Sequence, residues 1–274
     1  MKHTLYRLMF WKKSAPTVAV VRLQGAIAAT GGRLGGATLS DRAVAPLLER
    51  AFRRGKPVAV ALSINSPGGS PTQSALIGAR IRRLAEEHDV PVYAFCEDVA
   101  ASGGYWLATA ADHIYVDDNS IMGSIGVISA GFGFPQLIEK WGIERRVYTA
   151  GESKSMLDPF KPENDDDIAR LKDLQEQIHE NFKTQVRSRR GERLKSDTPD
   201  LFSGRVWVGQ RAVEVGLADG VGHLVPTMKG IFGDEVQFSV APEKRSLFNR
   251  LGGPGVQDLT DALEAKALYA RYGL

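Results

Sequence analysis

The chain has 274 residues, 43% hydrophobic and 8% aromatic, enough to bury a sizeable core and too apolar for a disordered protein. Its 35 basic and 32 acidic residues are interleaved and leave a formal charge of +3, so neither a nucleic-acid surface nor any other polyanion partner is implied. The single cysteine, Cys96, excludes an intramolecular disulfide and a thiolate metal cluster, and no segment reaches the ~20 consecutive apolar residues of a membrane span.

Residues 1–16, opening "MKHTLYRLMFWKK", form a basic and apolar tail without the long apolar core and small-residue cleavage site of a secretory signal. Such a tail is able to touch a membrane interface; the expected location is cytoplasmic, with peripheral contact to the inner membrane allowed. "TVAVVRLQGAI" reads as a strand, and "SDRAVAPLLERAFRRG" as a helix capped by Ser40 or Asp41 and stopped at Gly55. "PVAVALSIN" is a buried strand, "SPGGSP" a loop, and "TQSALIGARIRRLAEEH" a helix with Ala75, Ile77, Ile81 and Leu84 inward. "VPVYAFCED" repeats the strand, "SGGYWLATAAD" the helix and "HIYVDD" the strand. This alternation predicts a layered α/β fold with a largely parallel sheet and active groups at the carboxyl ends of its strands.

Further on, "QLIEKWG" reads as a short helix, "ERRVYTAG" as a strand, and residues 152–165 as a polar loop. From Asp166 to Arg190, Ile168, Leu171, Leu174, Ile178 and Phe182 recur at helical spacing, predicting an amphipathic helix packed on the body. "DLFSGRVWVGQRAVEVGLADGVG" reads as a turn, a short strand, a helix ending at Gly216 and the start of another strand. Residues 17–240 therefore form the main domain, and residues 241–274 a linker and a terminal helix suited to assembly.

Two corners carry candidate chemistry. Gly68 and Gly69, at the end of a buried strand, are able to present backbone N–H groups into a cleft, although a plain turn uses the same residues. Ser102 opens a helix, where the ordinary reading is an N-cap. Gly103 and Gly104 follow it at a helix-propensity cost of roughly 1 kcal/mol each, which a capping serine does not require; close approach of another group, substrate included, explains them. A nucleophilic serine needs a base, and none of the five histidines has a site-like setting, with His113 and His223 left open. Lys154, beside Met156, Leu157 and Phe160, is the alternative, because a lysine in an apolar site loses its proton; a solvated loop lysine is the competing reading. Cys96 in "VPVYAFCEDV" reads as a small buried hydrophobe.

Taken together, "INSPGGS", "DVAASGGYWLATAADHIYVDDNSIMGSIGVI", "AGESKSMLDPF" and "SGRVWVGQRAVEVGLADGVG" resemble the signal peptide peptidase A family of serine-lysine proteases, in order and over roughly residues 17–230. The resemblance implies a Clp/crotonase-like fold, with Ser102 aligned to the nucleophile and Lys154 to its general base. It places Gly68 and Gly69 on the oxyanion loop, makes the Gly103 N–H a second donor, and aligns Ser124 with the serine that orients the lysine. It implies a serine endopeptidase acting on signal peptide remnants or other unstructured, apolar peptides, with no metal or organic cofactor.

Longer members carry two such domains and shorter ones form rings, so the resemblance implies a homo-oligomer whose sites lie near subunit interfaces, with serine and lysine supplied by one chain or by two. Many members carry a transmembrane anchor that is not seen in this sequence, which loosens the tie to signal peptides more than the tie to proteolysis. A Clp-type Ser-His-Asp triad is disfavoured because Ser124 stands where that family's histidine falls, and a crotonase does not explain Ser102 with Lys154. The non-enzymatic alternative is a catalytically silent, membrane-associated scaffold of the same fold. Ile128, Phe132 and Phe134 are candidate cleft residues for apolar side chains, with core packing the competing reading.

Overall fold

The computed structural model describes residues 15–29, 38–151, 153–195, 197–241 and 266–274. Both the basic tail up to residue 14 and the expected linker over 242–265 lie outside the described residues. In chain order the elements are β1 (Thr17–Gln24), α1 (Asp41–Arg53), β2 (Ala59–Ser66), α2 (Pro71–His88), β3 (Val92–Ala101), α3 (Gly103–Thr109), β4 (His113–Val116) and β5 (Ile121–Gly123). They continue with α4 (Pro135–Lys140), α5 (Asp165–Arg190), β6 (Val206–Val208), α6 (Gln210–Glu214), β7 (Gly220–Val221), α7 (Leu224–Phe232) and β8 (Gln237–Val240).

Helix starts follow local chemistry. The Ser40 hydroxyl accepts from the Ala43 amide, Ser70 from Gln73 ahead of a proline at the first position of α2, and Asn164 from Asp166. The strands form a sheet in the order β6-β5-β3-β2-β1-β8, with β4 and then β7 joined beside β3. Every pairing is parallel except β5 with β6. A parallel sheet must be covered on both faces. On one face Leu23, Leu62, Ile64, Ile77, Ile81 and Leu107 join α1, α2 and α3 in the main core; on the other, Val18, Val20, Tyr93 and Phe95 pack with Met228 of α7 in a smaller one.

β3 changes neighbour along its length. Tyr93–Cys96 pair with β4, whereas Val99–Ala101 pair with β5. The change is made by a bulge: from Ile64 to Ser66 β2 advances two residues while β3 advances four, from Cys96 to Ala100. The bulge leaves Glu97 and Asp98 exposed at the carboxyl end of the sheet.

Two sequence expectations are corrected. Residues 144–151 form no strand; Tyr148 among them is 91% exposed, and no strand among the described residues pairs with them to satisfy their backbone groups. The long helix packs on the body only through its carboxyl half. Phe182, Val186 and Arg190 are buried, whereas Leu174 is exposed and Ile168, Leu171 and Ile178 are half-buried.

Arg190 anchors that half. Its guanidinium donates to the Gly216 carbonyl at 2.9 Å and to both Asp219 oxygens at 3.0 and 2.8 Å, while Asp219 also accepts from the Ile114 amide at 2.7 Å. Burial alone would raise the Asp219 carboxyl, but the Arg190 hydrogen bonds and charge, with Ile114 and Arg193, outweigh it and hold the group below its ordinary value. Removing one partner of so buried a pair leaves the other uncompensated. Arg190→Ala is therefore expected to lower the unfolding free energy by about 3–5 kcal/mol in a denaturant titration. Because the carboxyl is depressed on folding, its contribution is present above the unfolded carboxylate pKa of about 3.9 and lost as pH falls through the folded value. The melting temperature should accordingly drop below about pH 4, with a shallower drop in Arg190→Ala; an equally steep limb would contradict this.

Candidate active site

β3 ends at Ala101, and the chain turns into α3 through Ser102 with φ 52° and ψ −122°. For a non-glycine residue this conformation costs about 1–3 kcal/mol and persists only where its surroundings hold it. They do so at both ends: the Ser102 amide donates to the Gly123 carbonyl of β5 at 2.8 Å, and its carbonyl accepts from the Trp106 amide at 3.0 Å. Its hydroxyl makes no capping hydrogen bond. An N-cap serine has extended backbone and bonds a first-turn amide, so the capping reading of Ser102 does not hold.

The neighbouring glycines have a packing explanation. A Cβ on Gly104 would collide with the Ser66 carbonyl oxygen, and one on Gly103 with the Ser74 hydroxyl. A Cβ on Gly68 would lie 2.6 Å from the Gly103 nitrogen and 2.8 Å from the Ser102 Cβ, and one on Gly69 would collide with the Ile27 carbonyl. The start of α3 and the Pro67–Ser70 loop thus interlock backbone against backbone. This corrects the expectation that Gly103 and Gly104 leave room for substrate: the Ser66 carbonyl at the end of β2 fills the space at Gly104, and the Ser74 hydroxyl of α2 that at Gly103.

Backbone donors converge at this interlock. The Ile27 amide donates to the Gly68 carbonyl at 2.8 Å and Ser70 to the Ile27 carbonyl at 2.7 Å, a parallel bridge between Ile27 and Gly69 that turns the Gly69 N–H away from Ile27. The Gly68 amide is committed to the Ser66 hydroxyl at 3.2 Å. Of the two loop glycines, Gly69 is therefore the candidate oxyanion donor. The Gly103 N–H belongs to the first turn of α3, where no intrahelical acceptor exists.

Ser124 follows the glycine that holds the Ser102 amide. It has φ 49°, its amide donates to the Arg205 carbonyl at 2.8 Å, and its hydroxyl accepts from the Tyr272 hydroxyl at 3.2 Å. Gly68, Gly69, Ser102, Gly103 and Ser124 are in this way gathered at one corner. Lys154 is not. It is exposed in the turn between α4 and α5, and among the described residues no hydrogen bond or ion pair links its side chain to Ser102, Ser124 or another group.

The segment carrying Lys154 stands off the body. α4 buries none of its residues, and Ile128, Phe132 and Trp141 are 64%, 83% and 72% exposed. Ile128, Phe132 and Phe134 are thus not core, and the Phe134 ring lies tilted against both Phe132 and Phe160 on this arm. Other candidates fall away. Cys96 is buried, and burial pushes its thiol up to about 12. His113 stacks on Tyr93, and His223 pairs with Asp117 at 2.8 Å. Sequence reasoning missed Tyr269 and Tyr272, whose i, i+3 spacing on a short helical turn was the available signal.

The strain at Ser102 generates a stability test. Glycine adopts φ 52° freely, so Ser102→Gly should be more stable than Ser102→Ala by about 1 kcal/mol in thermal unfolding, although both lack the hydroxyl. A less stable glycine variant would show that the turn is not strained.

Comparison with known proteins follows from this geometry. Residues 85–229 match the family model of peptidase family S49. A protein of Brucella melitensis biotype 1 named Na(+)/H(+) antiporter NhaA is 50% identical over 273 residues, which is 94% of this chain and 37% of that protein. The chloroplastic serine protease SPPA of Arabidopsis thaliana is 33% identical over 215 residues, 76% of this chain and 31% of that protein. The chain thus spans about a third of the length of these relatives. Among solved structures, a mutant of the 1510-N membrane-bound stomatin-specific protease in complex with a substrate peptide aligns with 92% of this chain and 99% of its own, at a TM-score of 0.53 and 12% identity, a likeness of fold. With more than half of its residues inside the family match, the chain belongs to peptidase family S49.

Proposed function

We propose that the chain is a serine endopeptidase in which Ser102 is the nucleophile and Lys154 its general base, acting on signal peptide remnants or other unstructured, apolar peptides. The observation that carries the reading is Ser102 itself, held at positive φ at a strand-to-helix corner, uncapped, beside the Gly69 and Gly103 amides. A strained turn of this kind exposes a nucleophile where backbone donors are able to meet the developing oxyanion.

In the proposed cycle a neutral Lys154 amine takes the Ser102 proton while Oγ attacks the peptide carbonyl carbon. The tetrahedral oxyanion faces the Gly69 and Gly103 N–H groups. Collapse breaks the C–N bond, and the lysine ammonium protonates the leaving amine. Water, deprotonated by the same amine, then hydrolyses the acyl-serine and regenerates the free hydroxyl. No metal or organic cofactor enters the scheme.

Lys154 lies in solvent on an apolar, unpacked arm, and this supports a dyad assembled between neighbouring copies in a homo-oligomer. Burial of the arm against a neighbour would supply the apolar surroundings in which a lysine gives up its proton. The antiporter name of the Brucella relative is not carried over: no helix among the described residues is long and apolar enough to cross a membrane, and the chain spans 37% of that protein.

Ser102→Ala and Lys154→Ala are each expected to abolish cleavage of a casein-type unstructured substrate. Co-expression of the two variants tests the split dyad. Random assembly in a ring restores both groups in about a quarter of the sites, so activity should return to roughly that fraction; persistent inactivity would place serine and lysine in one chain. The rate should rise from neutral toward alkaline pH, since only the unprotonated amine accepts the serine proton. A rate that dies above neutrality would overturn the lysine assignment.

A further inference from the structure

One edge of the sheet carries an unused row of backbone groups. β8 ends the strand order and pairs with β1, in parallel, over Thr17–Val20. Gln237 and Ala241 turn their amides inward, to the Pro16 and Val20 carbonyls at 2.8 and 2.9 Å. Phe238 and Val240 therefore point their N–H and C=O groups outward, where no strand among the described residues meets them. Proline or charge commonly blunts such an edge. β8, with the sequence QFSV, has neither, and Gln237, Ser239 and Val240 are exposed, Val240 by 50%.

A groove accompanies this edge. It encloses about 350 Å³ between β8 and the end of α1, and the small side chains of Ala19, Ala51 and Ser239 line it together with Arg50, Arg54 and Val240. Arg50 and Arg54 stand one helical turn apart and are both exposed. The acid beside them on α1, Glu49, pairs with Arg80 at 3.6 Å, and among the described residues neither arginine has an ion-pair partner. Like charges at this spacing repel. The helix dipole favours cations at the end of α1, which accounts for their sign; it does not account for their convergence on a groove beside an open strand edge.

We propose that this edge takes an extended segment of a partner protein as an added strand, one whose side chains alternate between acidic and β-branched apolar. The outward groups of Phe238 and Val240 supply the backbone pairing. Side chains of an added strand point alternately to the two faces of the sheet. One set falls on the face of Ala19 and Ser239, where the Arg50 and Arg54 guanidiniums offer positive charge to carboxylates. The other falls on the face of Phe238 and Val240, where Phe238 packs on the smaller core and half of Val240 lies open. The surface is separate from the candidate active site: β8 meets the first half of β1, whereas Ser102 lies beyond the carboxyl end of β3. A strand added there is a docking contact and not a substrate in the cleft.

The test titrates the full chain into a fluorescein-labelled peptide GVEVEVEVG and follows anisotropy, with GVKVKVKVG as the opposite-charge control. The acidic peptide should bind, more weakly as salt is raised, and the lysine peptide should not. Arg50→Gln/Arg54→Gln alters two exposed side chains and removes two charge pairs, so affinity for the acidic peptide should fall roughly tenfold. Val240→Pro takes away an outward N–H at a sheet edge, a place where proline is tolerated; it should weaken binding by about tenfold or more, with an unchanged melting temperature as the check on folding. Failure of the acidic peptide to bind, equal binding of both peptides, or equal affinity in all three chains would overturn the proposal. A self-association that Val240→Pro abolishes, seen as a halved mass in sedimentation, would overturn the partner protein and assign the edge to a second copy.

Discussion

The interlock between the end of β2 and the start of α3 is the constraint on which the site depends. Ser102 is held at positive φ only because its amide is fixed to Gly123 and its helix cannot slide, and the helix cannot slide because Gly104 lies against the Ser66 carbonyl. Ser74 adds a second stop behind Gly103. Gly103 and Gly104 therefore serve a rigid contact and not freedom of motion. A methyl group at either pushes the Ser102 corner away from the end of β2 or from α2.

The sheet explains why this corner opens to solvent. Ligand crevices in parallel sheets form outside the carboxyl ends of strands, where neighbouring strands diverge. Here the divergence occurs within β3: its first half belongs to β4 and its second to β5, with the Glu97–Asp98 bulge between. The bulge carries polar side chains into the crevice, where Glu97 meets the Ser63 hydroxyl and the Gln24 amide, and Asp98 meets Asn65. A strand that kept one neighbour throughout would run past this point without leaving a cavity.

Much of this was legible from local patterns. The β-α alternation from Thr17 to Val116 follows from apolar runs, caps and glycines, each decided within a few residues. The donor loop and Ser102 were legible as an odd use of glycine, although the physical reason was misread: a doublet after a serine signals close approach, but sequence does not say whether substrate or backbone approaches. The failures share a different cause. "ERRVYTAG" has strand composition but pairs with no strand among the described residues, and the long helix carries an apolar stripe that the body covers fully only in its carboxyl half. Periodicity reports that a face wants covering and not which molecule covers it. Tyr269 and Tyr272 escaped because their partners are 204 and 148 residues away.

The uncovered surfaces and the missing base point to the same arrangement. Ile128, Phe132, Trp141 and Tyr148 are each more than half exposed, more large apolar side chains than one segment of a folded monomer usually leaves to water, and Lys154 lies in the same arm. On the proposed function, a base on an arm that packs against another copy would make proteolytic competence a property of the assembly: in a single chain Ser102 is held at its corner while Lys154 lies exposed.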